Sequence, residues 1–160
     1  GAGGSEQCLQ FNDRPGLGRA WWPCRVYSEL EMREGTVDLS FDFLMPSKNP
    51  AAFLVEFRDW RDELRAGPKV LLLPAGELRA GAFAQPFPRD RWCHLAIRFQ
   101  LGEGGPATYD LALEIPGGQP VVKTLPFANK KFSTMTWFGF LMPEEKAGAV
   151  RIDNLRLTRE

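Results

Sequence analysis

Val37-Asp38-Leu39-Ser40-Phe41-Asp42-Phe43 alternates apolar and polar residues without a break. Successive side chains of a β-strand point to opposite faces, so the stretch presents Val37, Leu39, Phe41 and Phe43 to one side and Asp38, Ser40 and Asp42 to the other. A helix would scatter the same four hydrophobes around its circumference. Just upstream, Val26, Leu30 and Met32 share one phase with Ser28, while Tyr27, Glu29 and Glu31 take the other. Between the two runs, Arg33-Glu34-Gly35-Thr36 reads as a turn, which predicts a hairpin of 26–32 with 37–43.

The period-two pattern recurs along the chain. Phe53, Val55 and Phe57 alternate with Leu54, Glu56 and Arg58, and Lys69 to Leu73 and Gly76 to Phe83 predict a short pair. Cys93, Leu95, Ile97 and Phe99 form the core-facing set of a strand over 91–101. Tyr109, Leu111, Leu113 and Ile115 follow, with 120–125 as their hairpin partner after Pro116-Gly117-Gly118. Thr134 to Met142 is apolar on both faces and reads as a central or ligand-facing strand, and 150–157 closes the chain. Only 59–65 has helical character, and a charged loop fits it equally well. About ten strands joined by Gly- and Pro-rich turns predict an all-β, two-sheet antiparallel sandwich.

Composition fits one such domain. The 160 residues contain 44% hydrophobic and 25% charged side chains, with 12 Phe and 5 Trp against 2 Tyr. Residues 8–160 are expected to form the sandwich, and 1–7 (Gly1-Ala2-Gly3-Gly4-Ser5-Glu6-Gln7) a disordered lead-in or linker remnant. Basic and acidic residues balance at 20 each with no basic stripe, which argues against a nucleic-acid partner. No apolar run reaches the roughly 18–20 residues of a transmembrane helix. Three cysteines cannot all pair internally; Cys93 is read as a buried free thiol, and pairing of Cys8 with Cys24 is left open.

Three segments resemble the concanavalin A-like lectin/glucanase superfamily, which includes laminin-G-like jelly rolls. They are 37–43, Asp90-Arg91-Trp92-Cys93-His94-Leu95-Ala96-Ile97, and the closing Val150-Arg151-Ile152-Asp153-Asn154-Leu155-Arg156-Leu157. With the strand spacing, the resemblance runs over about residues 8–159 and implies a jelly-roll sandwich. Binding modules, glycosidases, lyases and adhesive domains all share that fold, so function must come from the site. The resemblance also implies where a structural calcium could sit: an aspartate of the last strand, here Asp153, with Asn12 or Asp13 near the start.

Glucanases of this fold place carboxylates on one strand as Glu-x-Asp-x-(x)-Glu, and no such motif occurs here. Asp110 and Glu114 share a face, but Ala112 lies between them. The Gln-x-His pattern of the lyases is also missing, and a zinc site lacks His and Cys ligands. In the expected hairpin Glu31 would oppose Asp38, a like-charge pair that calcium or Arg33 would have to compensate. The switch of apolar phase between Ile152 and Leu155 predicts a β-bulge at Asp153-Asn154.

Sugar recognition calls for flat aromatic rings beside planar polar groups. Trp60, amid Asp59, Arg61, Asp62 and Glu63, is the tryptophan least suited to a core, whereas Trp22 and Trp137 read as core residues and Trp21 and Trp22 sit before Pro23. The expected glycan contacts are Arg58, Trp60, His94 and Arg98, provided their strands are neighbours. The leading expectation is a non-catalytic carbohydrate-binding or adhesion module of an extracytoplasmic protein, with a polysaccharide or glycan and other domains of a larger protein as partners. Two alternatives are a glycoside hydrolase using Glu29, Glu31, Asp38 and Asp42, and a structural protein-interaction domain.

Overall fold

The computed structural model describes residues 1–16, 24–144 and 146–160, with the backbone alone for Cys24 and Arg25. Among these lie twelve strands: β1 (Leu9–Asp13), β2 (Cys24–Met32), β3 (Gly35–Leu44), β4 (Phe53–Asp59), β5 (Arg65–Leu73), β6 (Glu77–Ala80), β7 (Phe83–Pro86), β8 (Cys93–Leu101), β9 (Thr108–Glu114), β10 (Val121–Pro126), β11 (Met135–Met142) and β12 (Gly148–Arg159). They form two antiparallel six-stranded sheets. One has the order β1-β12-β3-β8-β9-β10 and the other β2-β11-β4-β5-β6-β7. The first is called the β3 sheet below and the second the β4 sheet.

The alternating runs supply the inner faces. Val37, Leu39, Phe41 and Phe43 of β3 are buried, as are Cys93, Leu95, Ile97 and Phe99 of β8 and Tyr109, Leu111 and Leu113 of β9. Across the gap they meet Phe53, Val55 and Phe57 of β4 and Phe138 and Phe140 of β11. The phenylalanines interlock edge to face, Phe41 with Phe140 at 5.2 Å between centroids and Phe57 with Phe99 at 4.9 Å. Each fully buried Phe contributes about 1.5–3 kcal/mol, and large rings suit the ~10 Å gap between stacked sheets. Burial raises the Cys93 thiol to about 11, so it is held as an inert thiol.

The expected hairpin of 26–32 with 37–43 does not form. β2 pairs with β11 in the β4 sheet, whereas β3 lies between β12 and β8 in the β3 sheet. The two-residue link is a crossover between sheets. It turns at Gly35, whose φ is 97° and where a Cβ would lie 2.5 Å from the Glu160 carbonyl oxygen. The observed neighbour is compatible in charge: β8 sets Arg98 opposite Asp38 and His94 opposite Asp42, where the hairpin would have set Glu31 against Asp38. The acidic cluster expected of Glu29, Glu31, Asp38 and Asp42 is therefore split between sheets, and the compensating calcium has no place there.

Residues 59–65 are the end of β4, a loop and the start of β5. Part of the opening stretch packs against β12. Ala2–Gly4 forms a 3-10 turn, Ala2 is buried, and its N–H donates to Asp153 Oδ2 at 2.8 Å. Cys8 is exposed. The side chain of Cys24, and with it the Cys8–Cys24 pairing, lies outside the described residues, as do Trp21 and Trp22.

Candidate functional site

In β4 the residues that turn away from the core are Leu54, Glu56 and Arg58, yet all three are buried. Their cover begins with β11, which sets Leu141 opposite Leu54, Gly139 opposite Glu56 and Trp137 opposite Arg58. On its other side β11 sets Gly139 opposite Tyr27 and Trp137 opposite Glu29 of β2. Gly139 is the key to this arrangement. A Cβ there would run into the Trp137 indole and come within 3.0 Å of the Tyr27 Cβ. Without one, the indole lies across the strand and stacks on Tyr27, with centroids 5.9 Å apart and planes 21° apart.

Arg58 packs on this platform. Its guanidinium carbon lies 4.4 Å from the Trp137 ring centroid and 5.3 Å from that of Trp60. Its Nε donates to Glu56 Oε2 at 2.8 Å, and its Nη2 donates to the same oxygen. Lys69 Nζ stands 3.9 Å from Glu56 Oε1. A buried ion pair needs such satisfied geometry to offset its desolvation.

Trp60 leaves the strand immediately after β4. Its backbone N–H donates to Thr136 Oγ1 at 2.9 Å, which fixes the loop, while the residue stays 46% exposed. Asp59 anchors the same corner, accepting from Arg61 Nη2 at 2.8 Å and from the Arg61 backbone N–H at 3.1 Å. Burial raises the Asp59 pKa, but the hydrogen bonds and charge of Arg61, with Arg65, outweigh it and hold the carboxyl below its ordinary value. Tyr27, Glu29, Arg58, Trp60, Arg61, Thr136 and Trp137 together line an open groove of about 490 Å³.

Arg58 and Trp60 are thus brought together, while His94 and Arg98 lie on β8 in the other sheet. The four expected contacts are not one site. Arg98 pairs with Asp38 at 3.0 Å on the outer face of the β3 sheet. Sequence reasoning read Trp137 as buried, which it is, but did not link it to the groove and did not use Tyr27. The available signal was the Trp137-x-Gly139 step in a strand apolar on both faces, since a mid-strand glycine marks a close approach.

The bulge at Asp153-Asn154 is present, where the β12–β3 register shifts, and Asn154 takes a φ of 50°. Asp153 Oδ1 accepts the Asn154 N–H and Oδ2 accepts the Ala2 N–H, which lowers its pKa. Asp13 pairs with Gly148 at the far end of β1, five positions along β12 from Asp153, or about 17 Å of strand. The two carboxyls do not converge and do not fit a shared calcium. Among the described residues no three His, Cys, Asp or Glu side chains group as metal ligands.

The sequence matches no protein family and no curated protein. Solved structures do match. A marine PL-14 alginate lyase from Aplysia kurodai superposes with a TM-score of 0.65 at 7% identity, over 100% of this chain and 86% of that one. A basic winged bean lectin with Tn-antigen gives 0.57 at 9% identity, over 96% and 92%. The fold is the concanavalin A-like jelly roll. A third jelly roll, the carbohydrate-binding module CBM66 from Bacillus subtilis, gives 0.51 at 12% identity over 84% and 80%. At such identities the likeness shows the fold alone. Within this jelly roll the groove described above lies on the outer face of the β4 sheet, next to the β4–β5 loop.

Proposed function

We propose that this domain is a non-catalytic carbohydrate-binding module, and that its glycan lies in the groove between Tyr27, Trp60 and Trp137. The observation that carries the reading is a pair of exposed aromatic rings, Tyr27 and Trp60, held at the rim of a groove whose floor is fixed by the Glu56–Arg58–Trp137 packing. Apolar faces of a pyranose stack on such rings, and polar groups at the edge take its hydroxyls. Here Glu29 supplies an acceptor and Arg61 a donor. Arg58 acts from beneath by holding both indoles. The names of similar jelly rolls, a lectin with Tn-antigen and a carbohydrate-binding module among them, agree with the reading. An extracytoplasmic location belongs to the same proposal.

A glycan array probed with the domain and with Trp60→Ala, each with calcium and with chelator, tests it. Binding to at least one glycan is expected, reduced about tenfold or more in Trp60→Ala, equivalent to ~1.4 kcal/mol. Calcium-dependent binding would reinstate a metal that the positions of Asp13 and Asp153 do not favour. A blank array, or binding indifferent to Trp60, would overturn the proposal and leave a protein-docking role.

A further inference from the structure

We infer that the jelly roll carries a second small-ligand site, on the outer face of the β3 sheet, built around His94 and suited to a polyol that offers two neighbouring hydroxyls. It stands apart from the groove on the other sheet. Its foundation is a relay of hydrogen bonds across four elements. The Ala2 N–H holds Asp153, Asp153 holds the Asn154 N–H, Asn154 Nδ2 donates to Asp42 Oδ2 at 2.5 Å, and Asp42 Oδ1 meets His94 Nδ1 at 2.7 Å. The relay passes through the bulge, where Asn154 takes a left-handed φ of 50° and its side chain reaches Asp42 of β3. Asn is among the few residue types that adopt φ near 50° readily.

The consequence is a fixed tautomer. With Nδ1–H committed to a carboxylate, the neutral imidazole carries its lone pair on Nε2. Among the described residues Nε2 has no hydrogen-bond partner, and the side chain is 36% exposed. Glu114, the register partner of His94 on β9, lines the same open groove of about 420 Å³, with half-buried Trp92 and the Gly117-Gly118 turn at its sides. The groove therefore sets two acceptors, His94 Nε2 and Glu114, side by side next to an aromatic wall. That size is typical of small-ligand sites, and two adjacent hydroxyl donors of a sugar ring satisfy both acceptors. Among the described residues no three His, Cys, Asp or Glu side chains group here as metal ligands.

The test is an NMR titration of the ¹⁵N-labelled domain with a panel of methyl glycosides, up to about 50 mM and so well above a ~1 mM Kd. The His94 imidazole and Trp92 indole signals are the readout. At least one glycoside should give saturable shifts of both, preserved in Trp60→Ala, with binding read from the Trp92 indole alone weakened tenfold or more in His94→Phe. Glu114→Ala, an exposed change, makes the same test should His94→Phe fail to fold. Asn154→Gly keeps the bulge conformation but frees Asp42, so it should scramble the imidazole ¹⁵N tautomer signature and weaken binding. Silence of both signals across the panel would overturn the inference. So would shifts abolished by Trp60→Ala, or a His94 response to zinc chloride alone.

Discussion

On one outer face an arginine and a glutamate, 5% and 4% exposed, lie bonded to each other under aromatic rings. On the other face Arg98 meets Asp38 with 56% of its side chain in water. Both are Arg–carboxylate pairs on strands of the same sandwich, so the contrast comes from their surroundings. The β3 sheet keeps the pattern of a half-buried sheet, with polar residues outward and hydrogen-bonded across strands, as Thr124 is to Asp110. The β4 sheet breaks it by burying both faces of β4 and β11. A solvated face tolerates ionic pairs at little gain or cost. A covered face makes each polar group depend on its partner.

Removing one arginine from each face should give the largest divergence. Arg58→Met leaves Glu56 with only the more distant Lys69, and a loss of about 3–5 kcal/mol is expected in urea unfolding. Arg98→Ala should cost no more than about 1 kcal/mol by the same measurement. Similar losses at both sites would erase the distinction drawn between the faces.

A smaller effect is expected from Gly139→Ala. The new methyl must displace the Trp137 indole from its seat on Tyr27, which should cost about 1–3 kcal/mol and weaken glycan binding in step. A variant with full stability and unaltered Trp fluorescence would show that the indole does not need that space.

Smallest is Asp153→Asn, on the solvated side. The folded Asp153 pKa is lowered by the Asn154 and Ala2 N–H groups. Its contribution is therefore present above the unfolded value near ~3.9 and fades as pH falls through the folded one. The variant should be slightly less stable than the parent at neutral pH and converge with it in acid, as followed by thermal melts across pH 2–7. A constant gap across that range would mean that the carboxylate charge is not what holds the opening turn.

How much of this was legible differs between the two regions for a physical reason. Alternation marks which side of a strand is apolar, and Val37 to Phe43 was read correctly from that alone. The bulge at Asp153-Asn154 was legible too, because a phase switch is itself a pattern. Strand neighbours were not, since pairing is made by backbone groups that every residue carries. The Arg33–Thr36 stretch reads as a hairpin turn and is a crossover between sheets. Arg58 and Trp60 were flagged by their outward phase. Tyr27, Trp137 and Gly139 join them only through the β2–β11–β4 pairing, which spans more than a hundred residues of chain.

That pairing also constrains how the molecule is made. β11 fills the slot between β2 and β4, and β12 fills the slot between β1 and β3. Residues 135–159 thus act as a double zipper for strands synthesised long before them. A nascent chain emerging from the ribosome carries β1, β2, β3 and β4 with open edges until those residues are released, because no earlier segment can occupy the gaps. Loop closure over such distances is slow, and unpaired apolar strands are prone to wrong partners. The two sheets should accordingly close only once the last two strands are available to pair.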